Sequence, residues 1–141
     1  MPDLFEKSAI NSIALNNRFV RSATWEGLAT EEGACTSRLS ALMQELADGE
    51  VGLIISGHAY VSREGQAGPW QLGVYDDELI PQLRKMTDAV HKRSGKIVLQ
   101  LAHAGCQAAF GLTGKQKIGP CAKVDKDKTL CREMTPDDIR N

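Results

Sequence analysis

The spacing of apolar residues along the chain predicts two helices. The first covers residues 39–46, follows an N-cap signal at positions 36–37 and should end near Gly49. The second carries an apolar stripe over residues 79–90 and is entered from an Asp-Asp pair at 76–77. In both segments the apolar residues recur every three or four positions, as in a helix with one buried face.

Shorter apolar runs predict strands. Residues 19–23 form one short strand, and the preceding Asn-Asn pair at 16–17 is a turn signal that could close a hairpin with residues 9–15. The run at 51–55 is continuous and rich in β-branched residues, which is typical of a strand buried on both faces. Residues 97–102 are apolar apart from Gln100 and predict another buried strand.

The predicted order is hairpin, strand, helix, strand, helix, strand, long loop, and a helix beginning at Thr135. Strands that alternate with helices indicate an α/β fold whose parallel sheet is built from right-handed crossovers. A doubly wound sheet and an eight-stranded barrel both fit this order. A dinucleotide-binding sheet should show Gly-x-Gly-x-x-Gly after its first strand, whereas residues 23–27 read Ala-Thr-Trp-Glu-Gly, so the barrel is favoured.

In a barrel, ligands bind where the strands end. The strand ends here are residues 23–25, 56–58 and 100–103, which would deliver hydrogen-bonding or aromatic groups to one face. Gln100 stands alone in an apolar strand, and a buried amide without partners costs about 1–3 kcal/mol. A cofactor ring with alternating donors and acceptors would supply those partners, and a hydrogen-bond network in the core would supply them equally well.

Composition and charge narrow the class of protein. With 141 residues, 42% hydrophobic, 25% charged and a net charge of -1, the chain falls among soluble globular proteins. No apolar run is long enough for a membrane span, and the first residues lack the order of a secretory signal, so a cytoplasmic location is expected. The chain has no basic cluster of the kind that binds nucleic acid, so no nucleic-acid partner is expected. The Lys-rich segment 115–128 is interleaved with Asp125 and Asp127 and is predicted to be a solvated loop.

The cysteines, His91 and His103 are expected to be structural. No Cys-x-x-Cys pair is present, so neither a metal site nor a dithiol redox motif has its usual spacing, and four reduced thiols are the expectation for a cytosolic chain. His91 should be a surface residue in the last turn of a helix, and His103 should lock a loop by hydrogen bonding. The four cysteines are Cys35, Cys106, Cys121 and Cys131.

Three motifs together carry a family resemblance. Asn-Arg-Phe-Val-Arg-Ser-Ala-Thr at 17–24, Val-Gly-Leu-Ile-Ile-Ser-Gly at 51–57 and Gln-Leu-Ala-His-Ala-Gly at 100–105, in this order and spacing, resemble the old yellow enzyme family of NADH:flavin oxidoreductases. The resemblance implies an eight-stranded (β/α) TIM barrel. Because members of that family are more than twice as long, residues 1–141 would supply the N-terminal hairpin and the first three strand–helix units of a barrel that is incomplete in this chain.

The resemblance also implies which residues bind a cofactor. The family holds FMN at the mouth of its barrel, and Gln100 matches the third-strand glutamine that hydrogen-bonds the pyrimidine edge of the flavin. Ala23, Thr24 and Trp25 would pack on the flavin ring, and His58 would lie near it after the second strand.

Two positions depart from the family pattern. Trp25 stands where the family commonly has Thr or Cys, and its indole N–H is its only hydrogen-bond donor, so it cannot tune the flavin as a thiol or hydroxyl would. Cys106 replaces the usual Arg after His-Ala-Gly. The family's substrate-binding His/Asn pair, proton-donating Tyr and phosphate-binding loops lie beyond the third strand, so no catalytic residue is expected in this chain.

The implied activity is that of an FMN-dependent oxidoreductase. It would transfer hydride from NAD(P)H through FMN to a small-molecule substrate of the enone type, and homo-oligomers are expected. The alternative is a catalytically inert, truncated half-barrel that self-associates and binds no flavin, since three parallel strands leave an unpaired edge. A binding module for another phosphate ligand fits less well, because the chain has no Gly-rich phosphate loop.

Overall fold

A parallel sheet of three strands, with two helices packed against one face, organises the fold. The computed structural model describes residues 3–124 and 128–140. The sheet has the order β3-β4-β5, and α1 and α2 are the crossovers between its strands, as the sequence predicts. In chain order the elements are β1 (Ser8–Ile10), β2 (Ile13–Leu15), β3 (Val20–Arg21), α1 (Ser37–Asp48), β4 (Leu53–Tyr60), α2 (Ile80–His91), β5 (Ile97–Ala102), α3 (Phe110–Thr113), β6 (Ile118–Gly119), β7 (Lys123–Val124), β8 (Leu130–Glu133) and α4 (Pro136–Arg140).

The ends of both crossover helices are set by local capping. The Thr36 hydroxyl accepts a hydrogen bond from the N–H of Leu39 at 3.2 Å, and Gly49 caps the other end of α1. Asp76 caps the short 3-10 turn that leads into α2, and Pro81 lies in the first turn, where its missing N–H costs nothing. These boundaries confirm the predicted helices.

The core lies between the two helices and the sheet. Burial of each large apolar side chain there stabilises the fold by roughly 1.5–3 kcal/mol. The buried cluster consists of Ala29, Cys35, Leu39, Met43, Ala47, Ile54, Ala59, Leu72, Met86 and Val90.

The predicted hairpin turn at 16–17 is wrong. The hairpin joins β1 to β2 through a turn that begins at Asn11, whose φ of 50° suits asparagine, and β3 pairs in parallel with β4. Asn17 has a different use, because its buried side chain donates to the Glu50 carbonyl at 2.6 Å and accepts from the Phe19 N–H at 3.0 Å.

The second strand of the parallel sheet is longer than predicted. β4 runs from Leu53 to Tyr60, so His58 lies inside the strand and not after it. The strand continues because Tyr60 gains a further partner: its N–H donates to the Leu72 carbonyl at 2.9 Å and the Tyr60 carbonyl accepts from Val74 at 2.9 Å. The Ser-Gly pair at 56–57 favours the end of a strand by local preference. The backbone pairing of Tyr60 nevertheless continues the strand past it.

The bounds of β5 are confirmed, but its predicted burial is wrong. Val98, Leu99, Gln100 and Leu101 are all exposed, Leu101 by 64%. Within the described residues β5 pairs only with β4, so it forms the edge of the sheet and α2 covers only part of it. Gln100 is consequently not the buried amide that its apolar neighbours suggested.

Segment 115–128 is not a simple solvated loop. β6 and β7 flank β8, in parallel and antiparallel pairing respectively, and the Lys117 side chain before β6 is only 1% exposed. Strand β8 explains the difference, since it takes backbone hydrogen bonds on both sides. Asp125 and Asp127 lie outside the described residues.

The predicted helix start at Thr135 is confirmed by a reciprocal cap. The Thr135 hydroxyl accepts from the N–H of Asp138 at 3.2 Å, and the Asp138 carboxylate accepts from the N–H of Thr135 at 2.6 Å. Arg132 binds both oxygens of the same carboxylate and, with Thr135, holds the pKa of Asp138 far below its usual range. No helix in the described part of the chain is long and apolar enough to cross a membrane.

Thr36 gives a direct test of the capping. Thr36→Ala should lower the free energy of unfolding by about 1 kcal/mol, because the N–H of Leu39 loses its acceptor and the Leu28 carbonyl loses its donor. Thr36→Ser keeps the hydroxyl and should stay within a few tenths of a kcal/mol of the unsubstituted protein. Urea unfolding followed by circular dichroism measures both. Equal loss in the two variants would show that the threonine methyl group, and not the cap, stabilises α1.

Candidate functional site

The carboxyl ends of the three parallel strands meet at one edge of the sheet. His58 and Gln100 are ladder partners across β4 and β5, so these two predicted residues are neighbours. The Ser56 hydroxyl joins the same strands, because it accepts from the N–H of Gln100 at 3.2 Å and donates to the Gly57 carbonyl at 2.8 Å.

The Gln100 side chain is exposed at this edge. Within the described part of the chain its amide makes no hydrogen bond of its own, although the group can donate twice and accept twice. The sequence expectation of a buried amide is therefore corrected to an exposed one that is available to a ligand.

The residues after β3 form the second part of the site. Ala23 is half-buried, whereas Thr24 and Trp25 are exposed, Trp25 by 52%. The Thr24 hydroxyl donates to the Ser22 carbonyl at 3.2 Å, which commits it to the local turn. The indole of Trp25 packs over Gly27, outside the core beneath the helices.

An ion pair that sequence reasoning missed lies behind these residues. Arg21 Nη1 is 2.9 Å from Glu26 Oε1, and the two side chains are only 17% and 7% exposed. The Glu26 carboxylate also accepts from the N–H of Gly57 at 3.1 Å, and Arg21 donates to the Ile55 carbonyl at 2.9 Å. In the sequence, the one signal of this ion pair is that two opposite charges stand five positions apart around a predicted strand end.

A bulge in β4 coincides with this ion pair. Ile55 pairs with Val98 and His58 pairs with Gln100, so three steps along β4 match two along β5. Ile54 and Ala59, an odd number of positions apart, both belong to the core below the helices, which an unbroken strand would not allow.

His103 and His91 take the structural roles that the sequence predicts. His103 Nδ1 accepts from the N–H of Gly105 at 3.0 Å, and the imidazole packs so closely on Gly65 that a Cβ there would lie 2.8 Å from His103 Cγ. His91 is an exposed residue in the last turn of α2.

Two tyrosines lie at the end of β4 in a second polar cluster. The hydroxyls of Tyr60 and Tyr75 each donate to the Glu32 carbonyl at 2.9 Å, and the Arg63 guanidinium lies 5.2 Å from the centre of the Tyr75 ring. Burial raises the pKa of Tyr60 to about 12, so its hydroxyl stays protonated and tethers the loop that carries Glu32.

The expectation of four reduced thiols is wrong. Cys106, in the loop after β5, and Cys131, in β8, form a disulfide with an S–S distance of 2.10 Å. A Cβ on Gly119 would lie 2.6 Å from Cys106 Sγ, so the neighbouring strand leaves room for the sulfurs by having glycine there. Spacing alone could not reveal the pair, because β6 and β8 bring it together.

Cys35 and Cys121 remain free thiols, and they differ in environment. Cys35 is buried, and burial together with the charge of Glu26 raises the pKa of its thiol to about 11, whereas Cys121 is exposed.

The sequence of the chain is similar to those of known proteins. The sequence model of the NADH:flavin oxidoreductase / NADH oxidase family matches residues 3–141. A Bacillus subtilis protein named "Probable NADH-dependent flavin oxidoreductase YqiG" is 28% identical, over 98% of this chain and 37% of its own length. The NADH oxidase of Thermoanaerobacter brockii is 34% identical, over 98% of this chain and 22% of its own length.

A solved structure shows the same fold. The old yellow enzyme homologue from Zymomonas mobilis superposes with a TM-score of 0.86 at 26% identity, over 99% of this chain and 41% of that chain. The chain thus spans about two fifths or less of the length of these relatives.

The cysteine assignment predicts an ordered pattern of thiol reactivity. In the folded, unreduced protein a thiol-specific reagent at neutral pH should label Cys121 quickly and Cys35 slowly, since Cys35 is buried with a pKa of about 11. Unfolding without a reductant should raise the count to two of the four cysteines, and reduction should raise it to four. Cys121→Ser is the control that should remove the fast phase. Labelling of Cys106 and Cys131 in unfolded, unreduced protein, read by peptide mass spectrometry, would contradict the disulfide.

Proposed function

The chain belongs to the NADH:flavin oxidoreductase / NADH oxidase family, and from that premise we propose that it forms part of an FMN-dependent enzyme which reduces small activated alkenes with NAD(P)H. Flavin-dependent oxidoreductase chemistry follows from the family. The alkene substrate, of the α,β-unsaturated carbonyl type, is the proposal. When bound, FMN supplies the hydride-transfer chemistry, and the protein supplies binding, orientation and electrostatics.

We propose further that the fold is part of an eight-stranded barrel. The parallel order β3-β4-β5 and the likeness to an old yellow enzyme homologue support this. In such a barrel β3 with α1 and β4 with α2 would be the first two strand–helix units, and β5 would begin the third. Residues 1–141 would then be the N-terminal part of one flavin-binding domain, preceded by the β1-β2 hairpin.

One observation carries the cofactor proposal: an uncommitted amide at the carboxyl end of a parallel strand. Gln100 is exposed there beside His58, and its amide offers both a donor and acceptors. The pyrimidine edge of a flavin presents alternating acceptors and a donor, so the chemistry of the two groups fits. The position also matches the place where parallel α/β folds bind ligands.

The other proposed cofactor-binding residues would shape the space around the ring. Trp25 offers an exposed aromatic surface, and Ala23 leaves room because its side chain is a single methyl group. Thr24 would contribute its backbone and methyl group, since its hydroxyl is committed to Ser22. His58 would meet the flavin from within β4, beside Gln100.

The remaining sequence expectations stay predictions. They are a cytoplasmic location, a homo-oligomeric state, the absence of a nucleic-acid partner, and the lack of catalytic residues in this chain. The alternative function, an inert half-barrel that self-associates, draws on the exposed apolar side chains of β5, such as Leu101, at a sheet edge.

Gln100 provides the test of cofactor binding. In the complete protein, Gln100→Leu should weaken FMN binding by about tenfold and make the flavin harder to reduce, because a hydrogen bond of about 1–2 kcal/mol to the electron-rich ring is lost. Equilibrium dialysis and a redox titration measure the two effects. Gln107→Leu, at an exposed glutamine in the following loop, is the matched control and should change neither. Unaltered affinity and potential in Gln100→Leu would remove Gln100 from the site.

The 141-residue chain by itself tests the proposal of an incomplete barrel. It should purify colourless, reduce no enone and self-associate through the edge of β5, because the phosphate site and proton donor of the family lie on later strands. Light scattering coupled to size-exclusion chromatography gives its mass. A monomer that carries one FMN per chain would show that the missing strands are not needed.

A further inference from the structure

We propose that Glu26 is a positioning residue: its buried carboxylate, paired with Arg21, holds the backbone of Gly57 and thereby sets the place of His58 beside Gln100. This inference rests on the proposed flavin site for its functional consequence. Its structural part, the hold of Glu26 on Gly57, stands on the geometry alone.

The first step is the end of the pairing between β3 and β4. That pairing stops at Arg21 and Ile54. The next polar groups along β4 are then bound by side chains, because the Ile55 carbonyl accepts from Arg21 at 2.9 Å and the Gly57 N–H donates to Glu26 at 3.1 Å. Beyond the end of its pairing with β3, β4 thus has the ion pair in place of a neighbouring strand. The two side chains satisfy backbone groups that would otherwise be costly to bury.

The second step is the need for glycine at position 57. A Cβ on Gly57 would overlap Glu26 Oε2 and lie 2.8 Å from the Thr24 carbonyl. The carboxylate therefore occupies the space that any other residue would fill. Gly57 and Glu26 therefore depend on each other. Their contact lies at the bulge between Ile55 and His58, where β4 has its extra residue.

The third step links this contact to the proposed cofactor residues. Arg21 also donates to the Thr24 carbonyl at 3.4 Å, so the ion pair holds the loop of residues 23–25 as well as the bulge. From Gly57 the connection continues through the Ser56 hydroxyl to the N–H of Gln100. All five proposed cofactor-binding residues are therefore adjacent to groups that Arg21, Glu26 or Ser56 bind.

A purely stabilising ion pair would act differently. Removal of one member of a buried pair destabilises a protein because the other charge is left without a partner. A positioning role requires more: the shape of the flavin site must change in molecules that are still folded. The readouts must therefore be the state of the Gly57 amide and the properties of bound flavin, measured per folded molecule.

The experiment compares Glu26→Ala with Glu26→Gln in the complete, flavin-loaded protein. Glu26→Gln keeps an oxygen that can accept from Gly57 and removes the charge, whereas Glu26→Ala removes both. Glu45→Gln, at an exposed glutamate of α1, is the matched control. Hydrogen exchange of the Gly57 amide, the FMN dissociation constant and the flavin reduction potential are measured for each.

For Glu26→Ala we expect faster exchange at Gly57, about tenfold weaker FMN binding and a shifted potential, since the hydrogen bond that holds the bulge is lost. Glu26→Gln should recover most of the affinity and slow exchange, and Glu45→Gln should match the unsubstituted protein. A lower melting temperature in Glu26→Ala with unaltered exchange, affinity and potential would overturn the proposal and leave a purely stabilising pair.

The outcomes also separate this proposal from the proposed function. If the unsubstituted complete protein binds no FMN, the flavin assignment fails, and Gly57 exchange in the two Glu26 variants still decides whether the carboxylate holds the bulge. If the unsubstituted protein binds FMN and Glu26→Gln loses affinity as strongly as Glu26→Ala, charge and not the bond to Gly57 is responsible, and the proposal is wrong. Where Glu26→Ala does not fold, Glu26→Gln is compared with the unsubstituted protein, and a loss of FMN affinity while the Gly57 amide still exchanges slowly would overturn the proposal.

Discussion

The structure depends on the pairing of β4 along both of its edges. β3 lies on one side of β4 and β5 on the opposite side, and β3 and β5 do not pair with each other. Ile54 and Ala59 of β4 are fully buried under α1 and α2, so the same strand joins the sheet to its helices. Because β4 aligns both neighbours in parallel, it also decides which residues meet at the carboxyl edge, where ligands bind in folds of this kind.

The parts of the fold that depend on local chemistry could be predicted from the sequence. Thr36, Gly49 and Thr135 act through groups a few residues away, so their roles are visible in the sequence. The hairpin turn was misplaced because Asn11 and Asn17 are both suited to turns, and the choice between them depends on the distant Glu50 carbonyl that Asn17 binds. The predicted length of β4 and the predicted burial of β5 were wrong for the same reason, since both are set by partners far along the chain.

The candidate site divides in the same way. The neighbourhood of His58 and Gln100 could be predicted, because parallel strands must end together, even though His58 lies within its strand. The contact of Glu26 with Gly57 could not, because it exists only at one register of β3 on β4. The Cys106–Cys131 disulfide likewise needs the β6-β8 pairing before its two sulfurs can meet.

Two restraints of different chemistry converge on the strand that carries Gln100. On the β3 side, the ion pair of Arg21 and Glu26 holds the bulge through charge and hydrogen bonds, and thiol chemistry does not affect it. On the far side, the disulfide of Cys106 ties the loop that follows β5 to β8, and a reductant can break that bond. Gln100 itself is held by its ladder with His58 and by the Ser56 hydroxyl, and neither contact involves a cysteine. The buried carboxylate of Glu26 therefore belongs to the contacts around this site that do not depend on the disulfide.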